Sequence, residues 1–161
     1  MTGAEYIDLY RLQPHPEGGW YREVHRSTTS LGLLPGYPGK RTALTAIYFL
    51  LAAGEFSAFH RVRSEEAWVH LAGAPLELVL LEKEPRFRTI APAGYGEPLA
   101  VVPAGALQAA RTLGEFTLVS CLVAPGFDFA DFEIPSRKEL LRSHPRYAHL
   151  VRSFTRPEFF S

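Results

Sequence analysis

The chain has 161 residues, of which 47% are hydrophobic and 21% charged, as expected for a folded globular protein and not for a disordered one. Lysine plus arginine number 17, as do aspartate plus glutamate, so there is no basic surplus of the kind that nucleic-acid binding requires. We therefore expect one domain over residues 1–161, no nucleic-acid partner, and no membrane segment, because the longest apolar stretch, between Arg41 and Glu55, is too short to span a bilayer.

The N-terminal segment predicts one short helix. Residues Ala4 to Leu12 place Tyr6, Leu9 and Tyr10 on one face at helical spacing, and prolines follow directly. No basic region leads into an apolar run as in a signal peptide, and the single cysteine, Cys121, cannot form an intramolecular disulfide. We expect a cytoplasmic protein.

The middle of the chain predicts an all-β sandwich or barrel, because short apolar or alternating runs are separated by glycine and proline. The predicted strands are Trp20–Ser27, Thr42–Leu51, Glu55–Val62, Glu66–Leu71, Leu76–Leu81, Phe87–Ile90, Leu99–Val102, Leu107–Thr112 and Phe116–Ala124. The stretch Leu31–Lys40, with three glycines and two prolines, reads as a loop.

The C-terminal segment predicts helices that cover the outside of the barrel. Ser136 and Glu139 are spaced as a capping box in front of two leucines. His144-Pro145 can open a further helix through Leu150, since proline suits the first helical position.

One stretch, GEFSAFHRVRSEEAWVHLAG (Gly54 to Gly73), carries the strongest chemical signal. Side chains alternate along a strand, so His60 shares a face with Val62, and Glu66 shares a face of the next strand with Trp68 and His70. If residues 61–65 form the turn, His60 and Glu66 meet inside the barrel. An imidazole beside a carboxylate suits a divalent metal and equally suits proton transfer.

The stretch resembles the first motif of the cupin superfamily at Gly54, His60, Glu66 and Gly73, with Val62 in place of the motif's second histidine. A weaker resemblance to the second motif runs from Gly96 through Pro103-Ala104-Gly105 to Gln108, which stands at a histidine position. The strings HPEGGWYREVHRS, VVPAGALQAA and APGFDFADFE narrow the resemblance to a cupin family of unknown function. The resemblance implies a double-stranded β-helix of the sugar-epimerase type (RmlC-like, a jelly-roll barrel) and a homodimer, with the segment through Ser27 as a plausible exchanged element.

A metal site would have His60, Glu66 and Gln108 as ligands, one nitrogen and two oxygens, where catalytic metals normally have at least three protein ligands and an open position. Fe, Mn, Ni and Zn are not distinguished by these ligand types. Because an imidazole is missing, the residues favour a hydrogen-bonded polar pair in a ligand cavity over one bound divalent metal.

Further candidates surround this pair. Tyr48 is predicted to act as an acid opposite His60. Arg22 and Glu23 point to opposite faces of their strand, and we favour Arg22 as the one that binds an anionic group. Ser57, Trp68, His70, Gln108 and Arg111 are the remaining ligand-binding candidates, with Arg41 a weaker one. His15, His25, His144 and His149 read as surface or capping groups, and HPEGG is no phosphate loop because a strand follows its glycines.

Three functions stay open at this point. The protein could be an isomerase or epimerase acting on a sugar or nucleotide-sugar, an analogy at the level of fold. It could instead bind a small polar or anionic molecule without transforming it, or it could be a metal-dependent cupin enzyme.

Overall fold

Two antiparallel sheets form a jelly-roll barrel in the computed structural model of the chain, which describes residues 1–158. In chain order the strands are β1 (Gln13–Pro14), β2 (Trp20–Arg26), β3 (Ser30–Leu33), β4 (Lys40–Thr42), β5 (Thr45–Ala52), β6 (Ser57–Val62), β7 (Glu65–Gly73), β8 (Leu76–Leu81), β9 (Pro85–Ile90), β10 (Leu99–Val102), β11 (Gln108–Thr112), β12 (Phe116–Ala124) and β13 (Phe132–Glu133). One sheet has the order β1-β2-β5-β12-β7-β10 and the other β13-β6-β11-β8-β9. The predicted all-β class is confirmed, whereas the single domain over residues 1–161 stays a prediction.

The main core lies between the two sheets. It includes Phe49 and Trp68 from the first sheet and Leu78 and Ala110 from the second, all of them buried. Alternation along β5 sends Phe49 into this core and sends Leu50 to the opposite face. The sequence pattern of each strand therefore decides which side chains can reach the interior.

Helices cover both outer faces. The helix α1 (Gly3–Tyr10) begins at a Thr2–Glu5 capping box and packs Tyr6 and Tyr10 over Leu50. It ends two residues earlier than predicted, because Arg11 adopts a left-handed conformation with φ of 53°.

At the other end of the chain, α2 (Arg137–Ser143) begins at the predicted Ser136–Glu139 capping box. The predicted helix after His144 is a 3₁₀ turn, Pro145–Tyr147, followed by α3 (Ala148–Ser153). These elements pack on the outer face of the second sheet over Phe59 and Val79. Within residues 1–158 no helix is long and apolar enough to cross a membrane.

The glycine- and proline-rich stretch Leu31–Lys40 is not only loop. Its two ends take part in a two-stranded hairpin of β3 and β4, in which Leu33 pairs with Lys40. The sequence predicted only a loop because turn-forming residues dominate the composition of this stretch. The pairing of the two short strands depends on register, which local composition does not show.

Candidate active site

A cavity of about 260 Å³ lies inside the barrel. Its wall comes from the turn that precedes β2, from strands β2, β5, β6, β7 and β12, and from the segment 127–132. The polar groups that reach it include His60, Glu66, Glu17 and His15, set among aliphatic and aromatic side chains. A mostly apolar cleft with a few convergent polar groups is the usual form of a small-molecule site.

The His60 imidazole is fixed at both of its nitrogens. Its Nε2 lies 2.9 Å from Oε2 of Glu17, and its Nδ1 lies 2.7 Å from the carbonyl oxygen of Ala58. Both partners are acceptors, so the ring is held as an imidazolium that donates twice. The side chains of His60 and Glu17 are only 2% and 6% exposed, which makes this a buried ion pair.

Glu17 reaches the barrel interior because two glycines follow it. Gly18 has a φ of 111°, and a Cβ there would lie 2.1 Å from the carbonyl oxygen of Phe56. Gly19 has a φ of 76°, and its Cβ would lie 2.7 Å from the carbonyl oxygen of Leu50. The backbone carbonyl of Glu17 accepts a hydrogen bond from Ala58 in β6 at 2.8 Å. Only glycine permits so close an approach with a left-handed backbone.

The Glu66 carboxyl is held by a relay of buried side chains. The Gln108 amide donates to Oε1 of Glu66 at 2.8 Å, and the Trp68 indole donates to Oε1 of Gln108 at 2.9 Å. The indole N–H thus fixes which way the Gln108 amide points, and the amide in turn orients the carboxyl. Oε2 of Glu66 makes none of the hydrogen bonds found among residues 1–158, and Glu66 lines the cavity. The Trp68 indole also helps to lower the pKa of this carboxyl.

The charges of this cluster shift one another. Burial lowers the pKa of His60, but the charge and hydrogen bond of Glu17, together with Glu66 and the Ala58 carbonyl, outweigh burial and raise that pKa to about 9. Burial opposes ionisation of Glu17, yet His60 brings the pKa of Glu17 below its ordinary 4.5. For Glu66, burial prevails over the attraction of His60 and raises the pKa to about 7. The pair is therefore ionised at neutral pH, while Glu66 titrates there.

Segment 127–132 closes one side of the cavity with three phenylalanines. Phe127, Phe129 and Phe132 pack edge to face with centroid separations of 5.0 to 6.0 Å. A buried ion pair anchors the segment: Nε and Nη2 of Arg41 each lie 2.7 Å from a carboxylate oxygen of Asp131. Arg41 is thus a structural clamp and does not line the cavity.

The structure brings part of the predicted site together. His60 and Glu66 both line the cavity, with Val62 on the same wall as the sequence pattern indicates. Gln108 and Trp68 are buried behind Glu66, where they hold it and do not line the cavity. Ser57 is fully buried, and its hydroxyl has no hydrogen-bond partner among the described residues, although it lies near Glu17 and helps to lower the pKa of that carboxyl.

Other predicted residues lie outside the cavity, and their expected placement is corrected. Tyr48 is on the outer face of β5, with its ring centroid 4.9 Å from that of Tyr10 in α1. Arg22 pairs directly with Tyr48 in the sheet and so shares the outer face, while Glu23 lines the cavity. The alternation of β2 was predicted correctly, but its phase was not.

His70 and Arg111 likewise do not line the cavity. His70 lies further along β7 than Glu66 and Trp68, just before the register of β7 with β12 shifts, and its Nε2 is 3.0 Å from the carbonyl oxygen of Ala74. Arg111 is exposed, donates to Glu77 at 3.0 Å and lies over the Phe154 ring.

Two important residues were not predicted from the sequence. Glu17 was missed and His15 was read as a surface or capping group, yet both side chains are at most 7% exposed and line the cavity. The sequence signal that could have indicated them is the pair Gly18-Gly19 directly after Glu17. Two adjacent glycines suggest that the backbone passes close to neighbouring strands and so brings Glu17 towards the interior.

A metal does not fit the donors present. Both nitrogens of His60 are engaged, and Oε1 of Gln108 accepts from Trp68 instead of facing the cavity, which leaves Glu66 as the only available member of the predicted set. Across residues 1–158 no group of three or more His, Cys, Asp or Glu side chains is arranged to hold a metal ion. A borderline divalent metal needs more donors than this.

The jelly-roll barrel and the cavity between its sheets, with a histidine on β6 and a glutamate on β7, define a cupin. The chain belongs to the family described as "Cupin superfamily (DUF985)", whose model matches residues 4–135. The function of this family is not established, and the comparison with curated proteins gives no match.

Solved structures agree with this assignment. A hypothetical protein from Leishmania major is 30% identical with a TM-score of 0.89, and the match covers 98% of this chain and 100% of that one. A protein from Shewanella oneidensis is 35% identical with a TM-score of 0.85, covering 98% and 99% of the two chains. Oxalate decarboxylase from Lactobacillus farciminis, at 15% identity and a TM-score of 0.58, covers 91% of this chain and 42% of its own, and shows the fold alone.

Proposed function

We propose that the protein is an isomerase-type enzyme that moves a proton on a small polar molecule, with Glu66 as the group that carries the proton. The single observation behind this proposal is the placement of the Glu66 carboxyl. Its Oε1 accepts a hydrogen bond from Gln108, its Oε2 makes none among residues 1–158, and the residue lines the cavity. A carboxyl whose pKa is about 7 can both accept and return a proton at neutral pH.

The His60–Glu17 pair has a supporting role. Its imidazolium charge favours the carboxylate form of Glu66, while burial and the charge of Glu17 oppose it. The pair thus sets the balance at Glu66 and exchanges no proton itself, because both of its ring nitrogens already donate to fixed acceptors.

A reaction with one base follows from this arrangement. Glu66 removes a proton from a hydroxyl-bearing carbon beside a carbonyl group, and the C–H electrons form the C=C bond of an enediolate. The same carboxyl returns the proton to the former carbonyl carbon while the hydroxyl proton passes to the other oxygen, so that the hydroxyl and the carbonyl exchange places. Each turnover leaves Glu66 as it began, and no oxidant or cofactor is consumed. An epimerase with two bases needs a second acid on the wall opposite the first. Tyr48 was the predicted second acid, but it lies outside the barrel and cannot serve in this role.

The test is proton exchange with solvent. The purified protein is incubated in D₂O with a panel of aldoses, ketoses and simple ketones, and deuterium beside the carbonyl is measured by NMR and mass spectrometry. We expect exchange by the wild type, its loss in Glu66→Gln, and its retention in Tyr48→Phe, a matched variant on the outer face. Exchange that persists in Glu66→Gln would contradict the proposal.

A binding module without catalysis is the second candidate. The observation in its favour is that the His60–Glu17 pair is closed on itself, which leaves Glu66 with little chemical help. A ligand that raises the melting temperature yet exchanges no deuterium in any panel member would favour this alternative. Among residues 1–158 the donors do not favour the metal-dependent alternative.

We further propose that the protein is a cytoplasmic homodimer. The strand β10 ends the first sheet, and an unpaired edge with exposed Leu99 and Val101 is a surface that a second chain can cover. Light scattering after size exclusion tests this: a dimer at micromolar concentration supports it, and a monomer contradicts it.

A further inference from the structure

His15 carries a fixed hydrogen-bond donor that takes no part in the proton transfer at Glu66. The backbone N–H of Glu17 donates to Nδ1 of His15 at 3.1 Å, so Nδ1 bears no proton. A neutral imidazole has one N–H, which must then be on Nε2. The ring cannot turn freely, because Tyr21 and Phe49 meet it edge on at centroid distances of 4.5 and 5.6 Å.

The Nε2 side of this ring belongs to the cavity. The His15 side chain is 7% exposed and lines the cavity, and Nε2 has no hydrogen-bond partner among residues 1–158. Burial lowers the pKa of His15 below 6.5, more than Glu17 raises it. At neutral pH the ring is therefore an uncharged N–H donor directed at whatever occupies the cavity.

Each cationic side chain at the cavity already has an anionic partner within the protein. The two cationic side chains that line it, among the described residues, are His60 and Arg26. His60 is paired with Glu17, and Nε of Arg26 lies 2.6 Å from Oε1 of Glu23 while its Nη2 donates to the carbonyl oxygen of Phe127. An anionic ligand would find no free cation, and Glu66 and Asp128 would repel it.

We infer that the cavity takes an uncharged, single-ring carbonyl compound whose oxygen accepts a hydrogen bond from Nε2 of His15. This assignment rests on the proposed function and narrows its substrate class. The volume of about 260 Å³ is at or below the lower end of ligand pockets, roughly 300–1,000 Å³, and suits one ring instead of a nucleotide-sugar. A donor at the carbonyl oxygen also stabilises the negative charge that forms there when Glu66 removes the neighbouring proton.

Matched ligand pairs test the charge rule. Acetophenone is compared with benzoate, and cyclohexanone with cyclohexanecarboxylate, by NMR titration of the protein. We expect each ketone to bind at least about 10-fold more tightly than its carboxylate, because only the carboxylate brings an unpaired charge into the site. Equal or tighter binding of the carboxylates, or no ketone binding at millimolar concentration, overturns the assignment.

The role of His15 is tested on the same samples. In ¹⁵N spectra we expect an unprotonated Nδ1 and a protonated Nε2, and acetophenone should shift the Nε2 resonance. His15→Phe keeps the ring packing and should weaken ketone binding by about 5-fold or more through loss of the donor, whereas His25→Phe, an exposed control, should not. A protonated Nδ1, or unchanged ketone affinity in a folded His15→Phe, contradicts the assignment.

Its failure can be told from failure of the proposed function. Deuterium exchange that depends on Glu66 but occurs only with anionic substrates would support Glu66 as the proton carrier and contradict the carbonyl site at His15. Ketone binding that depends on His15, without any deuterium exchange, would support the carbonyl site and contradict the proposed proton transfer.

Discussion

The buried His60–Glu17 pair should make the stability of the protein depend on pH in a defined window. The pKa of His60 is about 9 in the folded chain and 6.5 as its ordinary value, so the folded state keeps a proton that the unfolded state loses. The stabilisation is complete below pH 6.5 and is lost as pH rises through 9. Between pH 7 and pH 9 this linkage removes about 2 kcal/mol from the free energy of unfolding.

Glu17→Gln isolates this effect. A glutamine can still accept the hydrogen bond from a neutral His60, but it removes the charge that raises the pKa of the ring. Urea unfolding of both proteins at pH 7, 8 and 9 gives the comparison. Glu66 also titrates near this range, and because Glu17 raises its pKa, its contribution differs between wild type and variant. The midpoint of Glu66 measured by NMR in each protein corrects for that difference.

We expect the advantage of the wild type over Glu17→Gln to shrink by about 2 kcal/mol from pH 7 to pH 9. A difference that stays constant over this window would show that His60 is not held as a cation, and the electrostatic account of the site would fail.

Three further variants test the parts that build the cavity. Asp131→Asn removes the carboxylate that Nε and Nη2 of Arg41 both bind and leaves the guanidinium with Asp128, 3.8 Å away, and the carbonyl oxygen of Lys40. It should therefore destabilise the fold clearly more than Glu133→Gln, which breaks an exposed pair worth less than about 1 kcal/mol; equal costs in urea unfolding would contradict the clamp. Gly19→Ala should cost at least about 2 kcal/mol, because its Cβ meets the Leu50 carbonyl, whereas Gly36→Ala, with a similar φ and nothing nearby, should cost only about 1; thermal melts that rank them the other way refute the close approach. Gln108→Leu removes the hydrogen bond to the Glu66 carboxylate, so the pKa of Glu66 should rise above 7 and stability should fall by about 1–3 kcal/mol; a lower pKa in an NMR titration would contradict the relay.

The fold could be predicted largely from local pattern. Alternating apolar runs gave the long strands, and spacing alone gave the capping box at Ser136 and Glu139. The β3–β4 hairpin was not predicted, because its register is a pairing between segments that local composition does not record.

The site was only half predictable, for a related reason. His60 and Glu66 lie in one continuous stretch, so side-chain parity was enough to bring them together. Glu17 is 43 positions before His60, and only the folded chain shows that the two side chains meet at 2.9 Å. Parity also left the phase of β2 open, and the structure gives Glu23 the inward position that was predicted for Arg22.

Val62 has a clearer meaning in the folded chain. It faces the cavity where a second histidine of the cupin motif would stand, and it contributes an apolar wall next to His60. The nitrogens that could have bound a metal are engaged by Glu17 and Ala58 instead. Within residues 1–158, Glu66 is the carboxyl lining this cavity that makes no ion pair, because Glu17, Glu23 and Asp128 are each paired with a cationic side chain.

Direct titration of Glu66 tests the central claim. Protein labelled with ¹³C at the side-chain carboxyls of glutamate is followed by NMR from pH 4 to pH 9, and Glu66→Gln assigns the resonance. We expect a midpoint near pH 7, well above the ordinary 4.5. A midpoint near 4.5 would show an ordinary carboxylate in the cavity and would contradict the proposal that Glu66 carries a proton at neutral pH.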